Sequence, residues 1–481
     1  MAADCPGGLR CERASLHGRR RLLYPGQTKN DGQPHANPRR AIRGRAHMTT
    51  GPSQKRVLRI ALAAAAGASI EWYDFFVYGT AAALVFPRLF FPHTLSPYVA
   101  QIAAFSTFAV GFLARPVGGA VFGHIGDRFG RKTALFIALV SMGVASTLIG
   151  LLPGYEVLGD LAPLLLVLLR FVQGLAVGGQ WGGAVLIAVE SGPKDRRGYY
   201  GSFAQTGVPV GLVLANAVYS LAAVWLAPDA FASWGWRLPF LFSLVIVGLG
   251  IYVQFGLEET VEFSRSQEDA GSIMAPARRG SPILEVIRAH PREIALAGGA
   301  FLANNICFYV AITYAIAYGT ATLHLSKLVM ISAVMIGSMT MIPALLIAGR
   351  LSDAWGRIGI FMTGAALAGL WAFALFPLMD TGSPLLVTLG IGVELVLLSV
   401  MYGPQAALFA DLFPVKVRYS GASLGYQLGA VVGGGFAPII AATLLEHFAT
   451  TAAIALYMAA ACAISFFSTF LLSGAKSHAA E

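Results

Sequence analysis

Twelve long apolar runs separated by short polar turns restrict this chain more than any other feature. They lie at about 57–80, 98–122, 133–153, 161–189, 198–226, 237–257, 293–322, 328–349, 358–379, 384–410, 419–445 and 449–472. A helix needs about 20 residues to cross the hydrocarbon core of a bilayer, and every run is that long. The runs are continuous and do not alternate, which excludes the strands of a membrane barrel. Only 12% of the residues are charged, against about a quarter in a soluble domain, so most of the surface must face lipid. The expected fold is an all-α integral membrane protein with 12 transmembrane helices.

The formal charge of +10 is unevenly distributed. Residues 1–47 hold ten Lys and Arg against Asp4, Glu12 and Asp31, so the basic excess is mostly local and does not point to nucleic acid. The segment has no apolar stretch, which excludes a secretory signal, and Arg19-Arg20-Arg21 lacks the apolar run of a twin-arginine signal. It reads as a disordered basic extension, with Met48 as the alternative start: Lys55, Arg56 and Arg59 follow and the first run begins. With the N-terminus in the cytoplasm, 19 of the 24 later bases fall on cytoplasmic segments. Arg88, Arg237 and Lys327 fall outside. Both termini are then cytoplasmic. Cys5 and Cys11 lie in the extension, and Cys307 and Cys462 lie alone in separate apolar runs. No structural disulfide and no metal site are expected from them.

The chain repeats itself. Gly123, Asp127, Gly130 and Arg131 return as Gly349, Asp353, Gly356 and Arg357, at an offset of 226. Arg196, Gln205, Gly207 and Gly211 return as Arg418, Gln427, Gly429 and Gly433, at an offset of 222. Two echoes at nearly equal offsets imply two related six-helix bundles, as transporters often have. The division expected is 48–257 for the first bundle, 258–292 for a cytoplasmic linker, 293–473 for the second bundle and 474–481 for a tail. Within the linker, Ser281-Pro282-Ile-Leu-Glu285 reads as the opening of an amphipathic interfacial helix.

Ionised groups in apolar runs are costly, about 2.5–3.5 kcal/mol each on insertion scales, and are functional candidates for that reason. Here they are Glu71, Asp74, Arg115, Arg170 and Glu394. Glu71 and Asp74 are three apart and share a helix face, and two such acids repel, which suits a carboxyl that loads and releases a proton. Arg170 is the expected partner; a static ion pair that locates helices is the alternative. Glu394 has no evident partner. In run four, Gly174, Gly178 and Gly182 recur every four residues, as do Gly179 and Gly183, and run eleven repeats the device with Gly425, Gly429 and Gly433. Such ridges let helix backbones touch, for tight packing or for sliding. Gln173 and Gln180 fall on one stripe with Arg170, and Asn304, Asn305 and Tyr309 in run seven offer groups that read hydroxyls or carboxylates or that bond between helices.

Gly123-His-Ile-Gly-Asp-Arg-Phe-Gly-Arg-Lys132 resembles the loop between helices two and three of the major facilitator superfamily. The resemblance implies a cytoplasmic latch, in which Asp127 meets the start of helix eleven near Arg418 and Arg131 meets Glu190 at the end of helix four. The second copy has Ala354 where Arg128 stands and is degenerate. Glu71-Trp-Tyr-Asp74-Phe-Phe, Arg115-Pro-Val-Gly-Gly119, the run-four pattern, Trp234-Gly-Trp-Arg237 and Arg418-Tyr-Ser-Gly421 are similar to the metabolite:proton symporter branch. That branch carries shikimate, α-ketoglutarate, citrate and proline or betaine. The likeness covers about residues 57–473, with one departure: Gln180 stands where the branch has Glu in its Gly-Gly-Glu-Trp-Gly-Gly motif.

The expected protein is a monomeric, proton-coupled importer of a small organic acid in a bacterial inner membrane, working by alternating access. Glu71, Asp74 and Arg170 would handle the proton, and Arg115, Gln173, Gln180, Asn304, Asn305 and Tyr309 the substrate. Gly123, Asp127, Arg131, Glu190, Asp353, Arg357 and Arg418 would form the cytoplasmic gate. Uptake of a zwitterion such as proline or betaine, an exporter, and a transporter-derived sensor are the alternatives. No nucleotide loop, metal cluster or nucleophile triad suggests an enzyme, and no cofactor is expected.

Overall fold

The computed structural model describes residues 54–129, 131–178, 185–186, 188–190, 192–255, 282–414 and 418–478. An apolar chain in lipid has to satisfy its backbone hydrogen bonds within each segment, so the runs form helices. In the first half these are α1 (Gln54–Leu84), α2 (Pro97–Phe129), α3 (Arg131–Leu151), α4 (Leu161–Gly178), α5 (Lys194–Trp225) and α6 (Leu238–Phe255). In the second half α7 spans Pro291–Ala321, α8 Lys327–Trp355, α9 Arg357–Asp380 and α10 Pro384–Leu412. The eleventh, α11, runs through Arg418–Gly429, Ala430–Gly435 and Ala437–Phe448, and α12 spans Ala452–His478. Among the described residues ten helices are long and apolar enough to cross a membrane, and Phe136–Leu151 and Gly235–Ile251 are shorter apolar helices. A short helix, Pro282–Ala289, precedes α7.

Large apolar side chains lie exposed on the outer faces, Trp225 at 80%, Leu385 at 76% and Leu370 at 70%. That is the surface expected of a protein whose solvent is lipid. Between α2 and α4 the glycines leave no space: a Cβ on Gly174 would run into the Gly111 carbonyl, and one on Gly178 into the Arg115 carbonyl. Gly429 lies against the Gly298 carbonyl and Gly433 against Asn305, so α11 meets α7 in the same way. Gly179, Gly182 and Gly183 lie outside the described residues. Gly356, between α8 and α9, has φ of 92°, which explains a glycine at that place in the repeated turn.

Wide π-helical stretches occupy Val310–Tyr314 in α7 and Ala430–Gly435 in α11. The halves meet where α5 of the first packs on α8 and α10 of the second, and where α2 packs on the π-helical stretch of α11.

Candidate functional site

Two arginines at the centre of the molecule define the site. Arg170 on α4 is fully buried and Arg115 on α2 is 1% exposed. Aromatic rings surround both. The Arg170 guanidinium lies 4.1 Å from the Tyr78 ring centre, 4.3 Å from Phe75 and 4.9 Å from Phe108. The Arg115 guanidinium lies 4.4 Å from Phe112, 4.5 Å from Phe75 and 5.4 Å from Trp72. The Phe75 ring on α1 therefore serves both cations, a cation–π arrangement that favours guanidinium. From the second half, Tyr309 closes the box, 5.1 Å from Phe112 and 5.6 Å from Phe108, with its hydroxyl facing Arg115. On each arginine Nε and Nη2 have no hydrogen-bond partner. Buried donors in that state call for an acceptor.

The acids sit differently from the sequence expectation. Arg170 was expected to pair with Glu71 or Asp74, and it makes an ion pair with neither. Instead its Nη1 donates to Gln173 Oε1 at 3.1 Å, and Gln173 Nε2 donates to Ser146 Oγ at 2.7 Å. Ser146 on α3 and Ser243 on α6 are the hydroxyls that face the Asp74 carboxyl, so Arg170 reaches Asp74 only through an amide and a hydroxyl. The cation near Glu71 is Arg115. The two acids are three residues apart, but a turn of about 60° between such positions gives them different neighbours. The mutual repulsion expected from a shared face is replaced by two separate sites. Asn304 Oδ1 is buried without a partner, whereas Asn305 spends its amide on the Phe301 carbonyl at 3.0 Å within α7. Gln180 lies outside the described residues.

At the end that the base count assigns to the cytoplasm, the halves are tied together. Asp353 at the foot of α8 accepts from the Gly198 and Tyr199 backbone N–H groups, both at 2.8 Å, at the start of the regular part of α5. Arg357 binds Asp411 at the inner end of α10 and lies 3.6 Å from Asp353. Arg418 at the start of α11 donates to Glu190 at 3.0 Å. The Arg131 side chain expected to meet Glu190, and those of Gly123 and Asp127, lie outside the described residues. The partner the structure gives Glu190 is Arg418. The degenerate copy of the turn thus supplies a full set of contacts, and Asp411, which the sequence reading did not single out, completes it. Its signal was present: Asp411 stands 221 positions after Glu190. At the other end Tyr98 of α2 meets Thr443 of α11 at 3.3 Å, and Lys327 lies 5.3 Å from the Phe231 ring centre.

Comparison with known proteins follows the same lines. The family model described as Major Facilitator Superfamily matches residues 65–422. The shikimate transporter of Escherichia coli is 39% identical over 427 residues, 88% of this chain and 96% of that protein. The inner membrane metabolite transport protein YhjE of the same organism is 40% identical over 421 residues, 86% and 93% of the two chains. Its proline/betaine transporter is 33% identical over 396 residues, 81% and 78%. The solved structure of the xylose transporter XylE from E. coli in a partially occluded inward-open conformation superimposes with a TM-score of 0.66 at 19% identity, covering 87% of this chain and 98% of that one. That likeness concerns the fold. The chain is a multi-pass membrane protein of the major facilitator superfamily, a metabolite transporter and not an enzyme, in the branch that holds the shikimate and proline/betaine carriers.

Proposed function

We propose that the protein is a proton-coupled importer of a small organic acid, placed in the bacterial inner membrane and working by alternating access between two six-helix bundles. The observation that carries this is the pair of buried guanidinium groups with unpartnered N–H groups inside a box of aromatic rings. Arginine stays charged, and two such charges enclosed together require anionic compensation. A carboxylate fits that need. A quaternary ammonium does not, because the ring faces that would hold it are already covered by arginine.

Coupling follows from competition. Glu71 and an incoming carboxylate both look to Arg115 for their counter-charge. A proton on Glu71 releases Arg115 for the substrate, and arrival of the substrate favours the protonated acid. Asp74 stands at the end of the Arg170–Gln173–Ser146 chain and is the second carboxyl able to take up a proton. Burial of all of these groups supports the reading, as does the naming of a shikimate transporter among the relatives. The division into bundles at 48–257 and 293–473, joined by a linker, belongs to the same proposal.

The test is uptake in cells across labelled shikimate, α-ketoglutarate, citrate, proline and betaine, repeated with Asp74→Asn and Arg170→Gln. Uptake of at least one acid, lost in Arg170→Gln and uncoupled from the proton gradient in Asp74→Asn, is expected. Transport confined to proline or betaine, or undiminished in both variants, refutes it.

A further inference from the structure

One buried carboxyl takes no part in the site described above. Glu394 lies on α10, ten residues and about 15 Å from its outer end. Asp74 lies ten residues from the outer end of α1, at the same depth. Glu394 has no exposed surface, and neither of its oxygens has a hydrogen-bond partner. The group facing it is the Cys307 thiol of α7, and Cys307 Sγ lies 3.6 Å from Cys462 Sγ of α12, with the Tyr457 hydroxyl of α12 beside Cys307. Among the described residues Cys307 is the one titratable side chain recorded as acting on Glu394. The two cysteines that lie apart in sequence are therefore neighbours in space.

The repeat sharpens the anomaly. Glu190 and Asp411 set an offset of 221 between the two halves, and at that offset Glu394 falls on Gln173. In the first half the position holds an amide bound to an arginine and a serine. In the second half it holds an acid with no cation. A carboxylate enclosed in the middle of the membrane without cation or hydrogen bond is the least stable form of that side chain, so the enclosed state holds it as the neutral acid. Its thiol neighbour Cys307 stands two residues before Tyr309, which closes the arginine box, and three before the wide turns that start at Val310. A shift of α7 that follows substrate at Tyr309 also moves Cys307 against Glu394.

We propose that Glu394 is a further proton-carrying carboxyl, seated in the C-terminal half and emptied when α7 parts from α10. On that opening the carboxylic acid gives its proton to entering water and becomes a carboxylate solvated by that water; closure requires the proton back. The inference rests on the proton-coupled reading above and adds to it a carrier outside the arginine box.

The first experiment needs no substrate. Infrared difference spectra between acidic and alkaline buffer are recorded on the full chain in liposomes, for the wild type, Glu394→Gln, Glu394→Asp and Asp74→Asn. A carboxylic acid C=O band that vanishes in Glu394→Gln, shifts in Glu394→Asp and persists in Asp74→Asn is expected. Spectra of Glu394→Gln that superimpose on the wild type overturn the proposal. The second experiment measures accumulation driven by a pH gradient of about one unit, with shikimate and α-ketoglutarate as probes. Each proton coupled to uptake contributes about tenfold per unit, so Glu394→Gln should accumulate about tenfold less and Glu394→Asp should recover. A wild type that responds to the gradient beside an equally responsive Glu394→Gln refutes this inference alone. A wild type indifferent to the gradient refutes the coupled reading as well.

Discussion

Replacing Asp353 with Asn should open the inner end of the transporter. Its carboxylate accepts two backbone N–H bonds of 2.8 Å from Gly198 and Tyr199, so a side chain of the second half caps a helix of the first. The side chain is 8% exposed, which limits screening. A hydrogen bond to a charged acceptor is worth about 1.5–3 kcal/mol, and the positive end of the helix adds a few tenths. Asparagine keeps one acceptor and turns an N–H toward the other donor, so the loss is about 2 kcal/mol. Tenfold corresponds to about 1.4 kcal/mol, and the open-to-closed ratio at this end should rise roughly 30-fold. Spin labels on the exposed ends of α5 and α8, at Lys194→Cys and Trp355→Cys in a background with the native cysteines replaced, report that distance by pulsed electron resonance. A long-distance population should appear in Asp353→Asn. Superimposable distance distributions in the two proteins would show that these two bonds do not hold the halves together.

Other substitutions separate effects of different size. Glu190→Gln, measured with the same labels, should shift the ratio less than fivefold, because Glu190 is 46% exposed and exposed ion pairs contribute at most about 1 kcal/mol. Gly178→Leu should abolish the folded protein in a thermal-melt assay, since a Cβ there meets the Arg115 backbone. Gly248→Ala, where a Cβ meets nothing within 4 Å, should be neutral or stabilising by up to about 1 kcal/mol in the same assay. Arg170→Lys keeps the charge but loses the planar contact with Tyr78 and the forked donors. Labelled-acid uptake should fall at least tenfold with melting little changed.

The sequence carries the spans because lipid demands continuous apolar helices, and it carries the inner latch because each half holds a copy. Asp353 and Arg357 could be placed from the repeat alone. The partners could not. Arg170 reads as the mate of Glu71 or Asp74 on charge alone, yet the choice depends on how α3 and α6 lean on α1, and Ser146 and Ser243 fill the place an arginine would take. Cys307 and Cys462 are 155 positions apart, and no spacing rule brings them together. The aromatic residues Trp72, Phe75 and Phe112 read as apolar filling. They become part of the site only when the arginines are seen lying on them.

The irregular turns in α7 and α11 connect the chemistry to the motion. An extra residue in a helical turn leaves backbone groups less well paired and is frequent at functional positions. Val310–Tyr314 begins one residue after Tyr309, and Gly434 and Gly435 in the α11 stretch lie against Phe112, the ring under Arg115. Both wide turns of the second half therefore abut the arginine box of the first, at the level where the halves must separate for access to alternate. The inner ends of the two halves are held by Asp353 on the Gly198 and Tyr199 N–H groups and by Arg418 on Glu190. A helix regular throughout would pass movement at the box rigidly to those ends. A helix with a wide turn can bend there first, so that under the proposed function a carboxylate at Arg115 would be felt by α7 and α11 before the inner contacts part.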